Sequence, residues 1–496
     1  MNGAATLAQW IKPDRRPRVL LVGDLILDRY IYGDAERISP EAPVPVLRAT
    51  DRRDAVGGCA NVAACLRALE CDVACCGVVG RDRHGDRLVG LLGELGVETA
   101  GVCPVSDRPT TTKTRLVGLA QHRHRQQLLR VDEEDAGPLP TRAADELRGT
   151  ARRLLADAHV VCIEDYDKGT ITEALVQNII EAAGRCDVPV LVDPARLTSY
   201  ERYRGAGVLT PNREELSIAT GEELPTVEKV ALAARDQLDK LALRAVVTTV
   251  DRDGAVLVER DKPWRHLATV PRSVYDNTGA GDAVLAMLAA AVAAGADLPS
   301  AARLANVAGG LEVERFGCVP ISADEILAEL RLADRLRNGK LRTADDLLAE
   351  LGLRRDRGET VAFTNGCYDL LHAGHVDFLR RCRREASVLV VGLNSDASVR
   401  ALSKGDDRPI NRFEDRATVV GALECVDYVV GFEAPDPEAL IRRIKPDVLI
   451  KGEDWAQRGV VGRKFVESYG GRVVLLPLVE GLSTTGLIER IRGAER

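Results

Sequence analysis

Short Val- and Leu-rich runs alternate with amphipathic or Ala-rich stretches along almost the whole chain, and this leaves few folds open. Strands are expected at Arg18–Val22, Val73–Val79, Val160–Ile163, Val188–Val192 and Ala245–Thr249, and helices at Asn61–Leu69, Thr172–Ala183 and Gly281–Ala294. Strands that alternate with helices pair in parallel under a helical cover, so the pattern predicts an α/β architecture. The character changes around residues 331–358, where the sequence is charged and helical with no strand. A second α/β series then follows at Thr360–Thr364, Ser387–Leu393, Val426–Val430, Asp447–Ile450 and Arg472–Leu476. The expected division is a first domain over residues 1–335, a helical linker over 336–357 and a second domain over 358–496.

Composition removes several classes of function. With 68 Lys and Arg against 75 Asp and Glu, the net charge is −7, and there is no basic stripe for a nucleic acid. A hydrophobic content of 45% is too high for a disordered chain, and with six Phe, three Trp and nine Tyr the cores must be built from Ala, Val and Leu. No apolar run reaches the ~18–20 residues that span a bilayer. Met1–Pro17 lacks the apolar stretch of a signal peptide. The twelve cysteines include no C-x-x-C pair, and several sit in apolar runs, as do Cys75, Cys76 and Cys162, so they read as reduced, buried small hydrophobes. A soluble, cytoplasmic protein without membrane or nucleic-acid partners is expected.

Two stretches carry chemistry. In the first, Asp276-Asn277-Thr278-Gly279-Ala280-Gly281-Asp282 runs into an Ala-rich helix. The glycines let backbone N–H groups approach an anion, and the helix start adds free donors and its dipole. Gly279, Ala280 and Gly281 are therefore a candidate anion hole, and Asp282 a candidate base for a hydroxyl. The same residues also read as a loop that merely caps a helix. Neither a Walker A pattern nor a protein-kinase glycine loop is present.

D-x-T-G-A-G-D resembles the second signature of the ribokinase-like carbohydrate kinases. Gly57-Gly58-Cys59-Ala60-Asn61 resembles their first, G-G-x-A-N, which lines the sugar site. Asn212-Arg213-Glu214-Glu215 resembles their N-x-x-E motif, tied to Mg²⁺ and phosphate. Thr249 and Gly254 fall where that family contacts nucleotide, and Asn306 lies in a helix resembling its adenine-side helix. The resemblance implies a ribokinase-like α/β domain with a small β lid. It implies no protein metal site beyond Mg-ATP, with Glu215 the candidate contact.

The segment VGDLILDRYIYGDAERISPEAPVPVL is similar to heptose 7-phosphate kinases in particular. Its Asp24 and Asp28 either accept bonds from sugar hydroxyls or cap the strand end. Arg108–Arg115 and Asp165–Gly169 match the same subfamily. Lys113, Arg115 and Lys168 are candidates to offset phosphate charge, Lys168 on the sugar side. That subfamily reads D-P-K where this chain has Asp193-Pro194-Ala195-Arg196, so Arg196 either replaces the lysine or the function is lost. His122 and His124 alternate in a basic stretch that reads as a polar lid strand or, less simply, as a metal pair.

In the second stretch, Thr364-Asn365-Gly366-Cys367-Tyr368-Asp369 leads to His372-Ala373-Gly374-His375 at a helix start. Imidazoles at i,i+3 on a first helical turn share a face and suit a polyphosphate. They also suit zinc, but no third ligand occurs at a familiar spacing. The H-x-G-H after G-x-Y-D resembles the nucleotidyltransferases related to cytidylyltransferases. Lys404 and Arg408 in K-G-D-D-R-P, Arg416 in E-D-R, Lys451 in K-G-E-D, and Ser483, Thr484 and Thr485 in L-S-T-T-G-L-I resemble later motifs of that group. In that chemistry a sugar 1-phosphate oxygen attacks the α-phosphorus of a nucleoside triphosphate, and the protein supplies position and charge.

Both halves in this order resemble the bifunctional heptose 7-phosphate kinase / heptose 1-phosphate adenylyltransferase family. The resemblance implies an ADP-heptose pathway for lipopolysaccharide core, with ATP and Mg²⁺, a separate phosphatase between the two steps, and a homodimer formed through lid strands. Another sugar phosphate, CTP in place of ATP, or one inactive nucleotide-binding half are the alternatives.

Overall fold

The computed structural model describes residues 4–11, 16–120, 123–269, 279–315, 317–402, 408–457 and 459–477. The chain forms two compact units, one from Leu7–Glu329 and the other chiefly from Leu330 onward. Asp276, Asn277, Thr278, His122, Lys404, Ser483, Thr484 and Thr485 lie outside the described residues, as does the side chain of His124.

The first unit is built on a nine-stranded sheet. Its order is Arg265–Leu267, Ala255–Glu259, Ala245–Thr249, Val208–Leu209, Val190–Asp193, Val160–Glu164, Arg18–Gly23, Asp72–Gly80, Glu98–Val105. All pairings from Ala245–Thr249 onward are parallel, and only the first two strands join antiparallel. Strands buried on both faces need continuous apolar runs, and Leu20, Val22, Ile163, Val192 and Val246 supply them within one core cluster. A second sheet of four strands forms the lid, ordered Pro45–Gly58, Leu25–Ile38, Thr112–Ala120, Arg123–Glu133.

The parallel strands bring their carboxyl ends to one edge. Gly23 pairs with Glu164, and Glu164 with Asp193, so three consecutive strands end in register. This edge is where ligands bind open α/β sheets.

In the second unit, six parallel strands run in the order Leu341–Arg342, Tyr428–Phe432, Val388–Asn394, Val361–Gly366, Val448–Gly452, Arg472–Leu476. The stretch 336–357, expected as a linker without a strand, departs from that expectation. Leu341–Arg342 adds an edge strand, and the helix Ala344–Arg355 buries Leu347 and Leu351 against Val361 and Phe363. Two residues in a charged context leave no periodicity to read, and Arg342 is buried because Glu350 pairs with it.

Phe363 is fully buried beneath Gly392, where an added Cβ would lie 2.7 Å from its ring. Phe363→Ala is expected to cost about 3–5 kcal/mol. It should lower the urea midpoint of this unit's unfolding transition without changing the slope. All twelve cysteines are free thiols, eight of them buried.

Candidate active sites

In the first unit, Gly279 takes φ 95° and starts the helix Ala280–Ala293. A Cβ there would lie 2.9 Å from Glu312 Oε1 and 3.4 Å from Asn61 Nδ2, so both the turn and the close approach require glycine. Asp282 follows in the first turn, 4% exposed. Both of its oxygens are held. Asn61 Nδ2 donates to Oδ2 at 2.6 Å, and the Tyr166 hydroxyl donates to Oδ1 at 3.0 Å. Burial pushes the Asp282 carboxyl up to about 6 against the pull of those two donors. A base with a pKa just below neutrality is ionised at neutral pH yet still basic enough to take a proton.

Asn61 reaches Asp282 because Gly57 and Gly58 turn a lid strand directly into the helix Cys59–Ala68. Gly58 has φ 55°, and a Cβ on it would meet the Asp24 carbonyl at 2.8 Å. Asp24 is buried and accepts from the backbone N–H groups of Tyr166 (2.9 Å), Lys168 (3.1 Å) and Thr170 (3.2 Å). It thereby shapes the loop that carries Tyr166. Asp28 accepts from Arg115 at 2.7 Å, and Lys168 Nζ pairs with Glu134 at 2.8 Å. Lys113 Nζ stands 5.2 Å over the Tyr166 ring, its pKa lowered by burial. Tyr166 has no motif position in the sequence reading; its only signal is membership of Asp165–Gly169.

The remaining first-unit candidates spread along the sheet edge. Asn212 and Glu215 form a capping box. Asn212 Oδ1 accepts from Glu215 N at 2.9 Å, and Glu215 Oε2 accepts from Asn212 N at 2.9 Å. Their spacing is thus explained by the helix start alone, while a half-buried carboxylate still faces the edge. Thr249 ends its strand and bridges to Asn212. Gly254, at φ 95°, leaves room that a Cβ would fill 2.2 Å from the Leu267 carbonyl. Asn306 donates to the Leu267 carbonyl at 3.1 Å. Arg196 pairs with Glu214, and its charge lowers the pKa of Glu215, which burial raises. A cation therefore does stand beside this motif.

Glu164, buried, and Asp193, half-buried, sit side by side in register. Burial with the charges of Asp193 and Asp282 pushes Glu164, and burial with those of Glu215 and Asp282 pushes Asp193, well above the carboxylate range; among the described residues Glu164 Oε2 has no hydrogen-bond partner. Among the described residues, no group of three or more His, Cys, Asp or Glu is placed to hold a metal. Hard carboxylate oxygens, few per site, suit a cation that arrives largely ligated by phosphates and water.

In the second unit, His372 caps the helix Ala373–Arg384 and stacks on His375, ring centroids 3.9 Å apart. Tyr368 meets His375 edge-on at 5.3 Å. Both His372 nitrogens and His375 Nδ1 are buried without a hydrogen-bond partner among the described residues. Burial, and then His372, pull His375 down to about 4, so the pair is neutral at neutral pH. Lys451 Nζ crosses to the neighbouring strand end, 2.5 Å from Asn365 Oδ1, and lies 4.8 Å from the Trp455 ring. Thr364, Asn365 and Gly366 form that strand end.

Two candidates point inward. Asp369 accepts from Arg408 Nε (2.9 Å) and from the N–H groups of Ile410 (2.8 Å) and Asn411 (3.1 Å). Arg416, 1% exposed, donates to the carbonyls of Asn411 and Cys367 and to Asp396 Oδ1. Arg416, whose motif resembles one that carries a substrate or phosphate arginine, here ties these three segments together. Asn411, absent from the sequence reading, completes the knot by donating to the Asp369 carbonyl at 2.6 Å.

Comparison with known proteins agrees with this division. The pfkB family carbohydrate kinase profile matches residues 16–325, and the cytidylyltransferase-like profile matches residues 363–484. The chain is similar to the bifunctional protein HldE of Pelobacter propionicus, 42% identical over 96% of each chain. It is also similar to the HldE protein of Rhodospirillum rubrum, 41% identical over 100% of this chain and 99% of that one. Among solved structures, ribokinase of Arabidopsis thaliana covers 64% of this chain with 99% of its own, at TM-score 0.51 and 22% identity. Phosphofructokinase-2 of Escherichia coli does so with 99% of its own at TM-score 0.52 and 20% identity; these two likenesses give the fold of the first unit. No described helix is long and apolar enough to cross a membrane. The chain belongs to the bifunctional HldE family, a pfkB-type carbohydrate kinase followed by a cytidylyltransferase-like nucleotidyltransferase, and it is an enzyme of two transfer reactions that use ATP.

Proposed function

We propose that the first unit phosphorylates D-glycero-β-D-manno-heptose 7-phosphate at C1, and that the second converts the heptose 1-phosphate to ADP-heptose. The observation that carries the sugar assignment is identity above 40% to HldE proteins across both units in one order.

In the first reaction, Asp282 takes the proton of the C1 hydroxyl as its oxygen attacks the γ-phosphorus of ATP and ADP leaves. The N–H groups of Gly279, Ala280 and Gly281 receive the charge on the transferred group. Gly57, Gly58, Asn61, Asp24, Asp28 and Lys168 shape the sugar side, and Asn212, Glu215, Thr249, Gly254 and Asn306 the nucleotide side. In the second reaction, the 1-phosphate oxygen attacks the α-phosphorus of ATP and pyrophosphate leaves. His372, His375 and Lys451 hold the polyphosphate, while Asp369, Arg408 and Arg416 keep the loops around it in place. Mg²⁺ enters with ATP, Glu215 being its candidate protein contact in the first unit, and neutralises phosphate charge when bound. A phosphatase acts between the steps, in the cytoplasm, and the chain pairs with a second copy through the lid.

Mass spectrometry of products tests the reading. Heptose 7-phosphate with ATP should give the bisphosphate, and added phosphatase should carry it to ADP-heptose. Turnover of ribose or fructose phosphates in preference to heptose, or of CTP in preference to ATP, would overturn it.

A further inference from the structure

The Asp282 carboxylate is gripped from two elements that are far apart in sequence. Asn61 comes from the helix Cys59–Ala68, and Tyr166 from the loop after the strand Val160–Glu164. Tyr166 is itself held at both ends, its N–H on Asp24 Oδ2 at 2.9 Å and its hydroxyl on Asp282 Oδ1 at 3.0 Å. Lys113 covers its ring. We propose that Tyr166 is the positioning residue of this site's base: its hydroxyl, anchored through the loop by Asp24, fixes the carboxylate opposite Asn61 and leaves it one direction in which to accept a proton. The inference rests on Asp282 acting as the base.

The chemistry follows from the donor. A hydroxyl that donates to a carboxylate stabilises its charged form, so removing it raises the pKa of the base. The other groups facing Asp282 oppose one another. Asp28 on the lid, with Glu164 and Asp193 at the sheet edge, disfavours the charge, and Lys113 on the lid favours it. The thiols Cys65 and Cys318, both pushed up by burial, stay neutral. Among these, Tyr166 and Asn61 alone donate a hydrogen bond to the carboxylate.

The experiment measures ADP release from heptose 7-phosphate and ATP by the full chain between about pH 5.5 and 9. It compares wild type with Tyr166→Phe and Asp282→Asn, and follows adenylyl transfer in the second unit as the folding control. Tyr166→Phe should shift the acid limb of its profile upward by about one unit, so that kcat falls only about twofold at neutral pH and by nearly tenfold at about pH 5.5. It should recover toward wild type at high pH and keep its KM for ATP and its adenylyl transfer. An unmoved acid limb, with or without a uniform loss, overturns the proposal. So does joint loss of both activities, which would make the hydroxyl a bond of the fold alone. Asp282→Asn separates the two readings: if it still releases ADP, the base assignment fails, whereas if it is inactive and the Tyr166→Phe profile stays put, only the role of Tyr166 fails.

Discussion

Asp282→Asn is expected to lower sugar-dependent ADP release by about 10²–10⁴-fold while leaving adenylyl transfer unchanged. The amide keeps the shape of the carboxylate but cannot take the hydroxyl proton. Wild-type kinase activity should fall as pH drops through about 6, because protonation removes the base. Stability should move the other way. A folded-state pKa raised from 3.8 to about 6 means that the native state prefers the protonated form. The ionised carboxylate therefore costs the fold about 3 kcal/mol at neutral pH, a penalty absent below about pH 4 and complete above about pH 6. The neutral Asn variant should melt no earlier than wild type at pH 7.5. A variant that melts much earlier, or that retains the kinase rate, would refute the account.

His375→Ala carries the second large effect. Two stacked imidazoles present buried nitrogens, with no partner among the described residues, at the start of a helix. Losing one such donor at a developing pyrophosphate is expected to cost about 10²–10³-fold in adenylyl transfer, with kinase turnover intact. Because burial holds both imidazoles neutral, a polyphosphate should raise their pKa on binding and draw in a proton. Pyrophosphate inhibition of adenylyl transfer should then tighten as pH falls from about 8 to 6. Inhibition independent of pH, or a variant with wild-type transfer, would remove the histidines from this role.

The buried strands were legible because an apolar run such as Val160–Ile163 reflects burial on both faces, a local signal. The lid was not. Leu25–Ile38 is buried at its start and exposed only at its end, Pro45–Gly58 is exposed through its middle, and both carry charges along their length, so their pairing depends on one another and not on a pattern within either. Asp282 stood out as a candidate because a glycine turn feeds its helix, where Gly279 takes a positive φ, and His375 because of the H-x-G-H pattern at a helix start. Roles that depend on a distant partner were hidden. Tyr166 matters only because Asp24, 142 positions away, folds its loop. Arg416 was read from the resemblance of its motif, which shows the arginine but not the carbonyls of Asn411 and Cys367 to which it donates.

The lysine that rests on an indole in the second unit also makes that unit visible in solution. The chain has only three tryptophans. Of these, Trp455 sits 4.8 Å from the Lys451 ammonium, whereas Trp264 is 40% exposed on the other unit. Any ligand that draws Lys451 off the indole should change the emission of Trp455. The adenylyl-transfer site would then carry its own optical signal, with no label needed to distinguish its occupancy from that of the kinase.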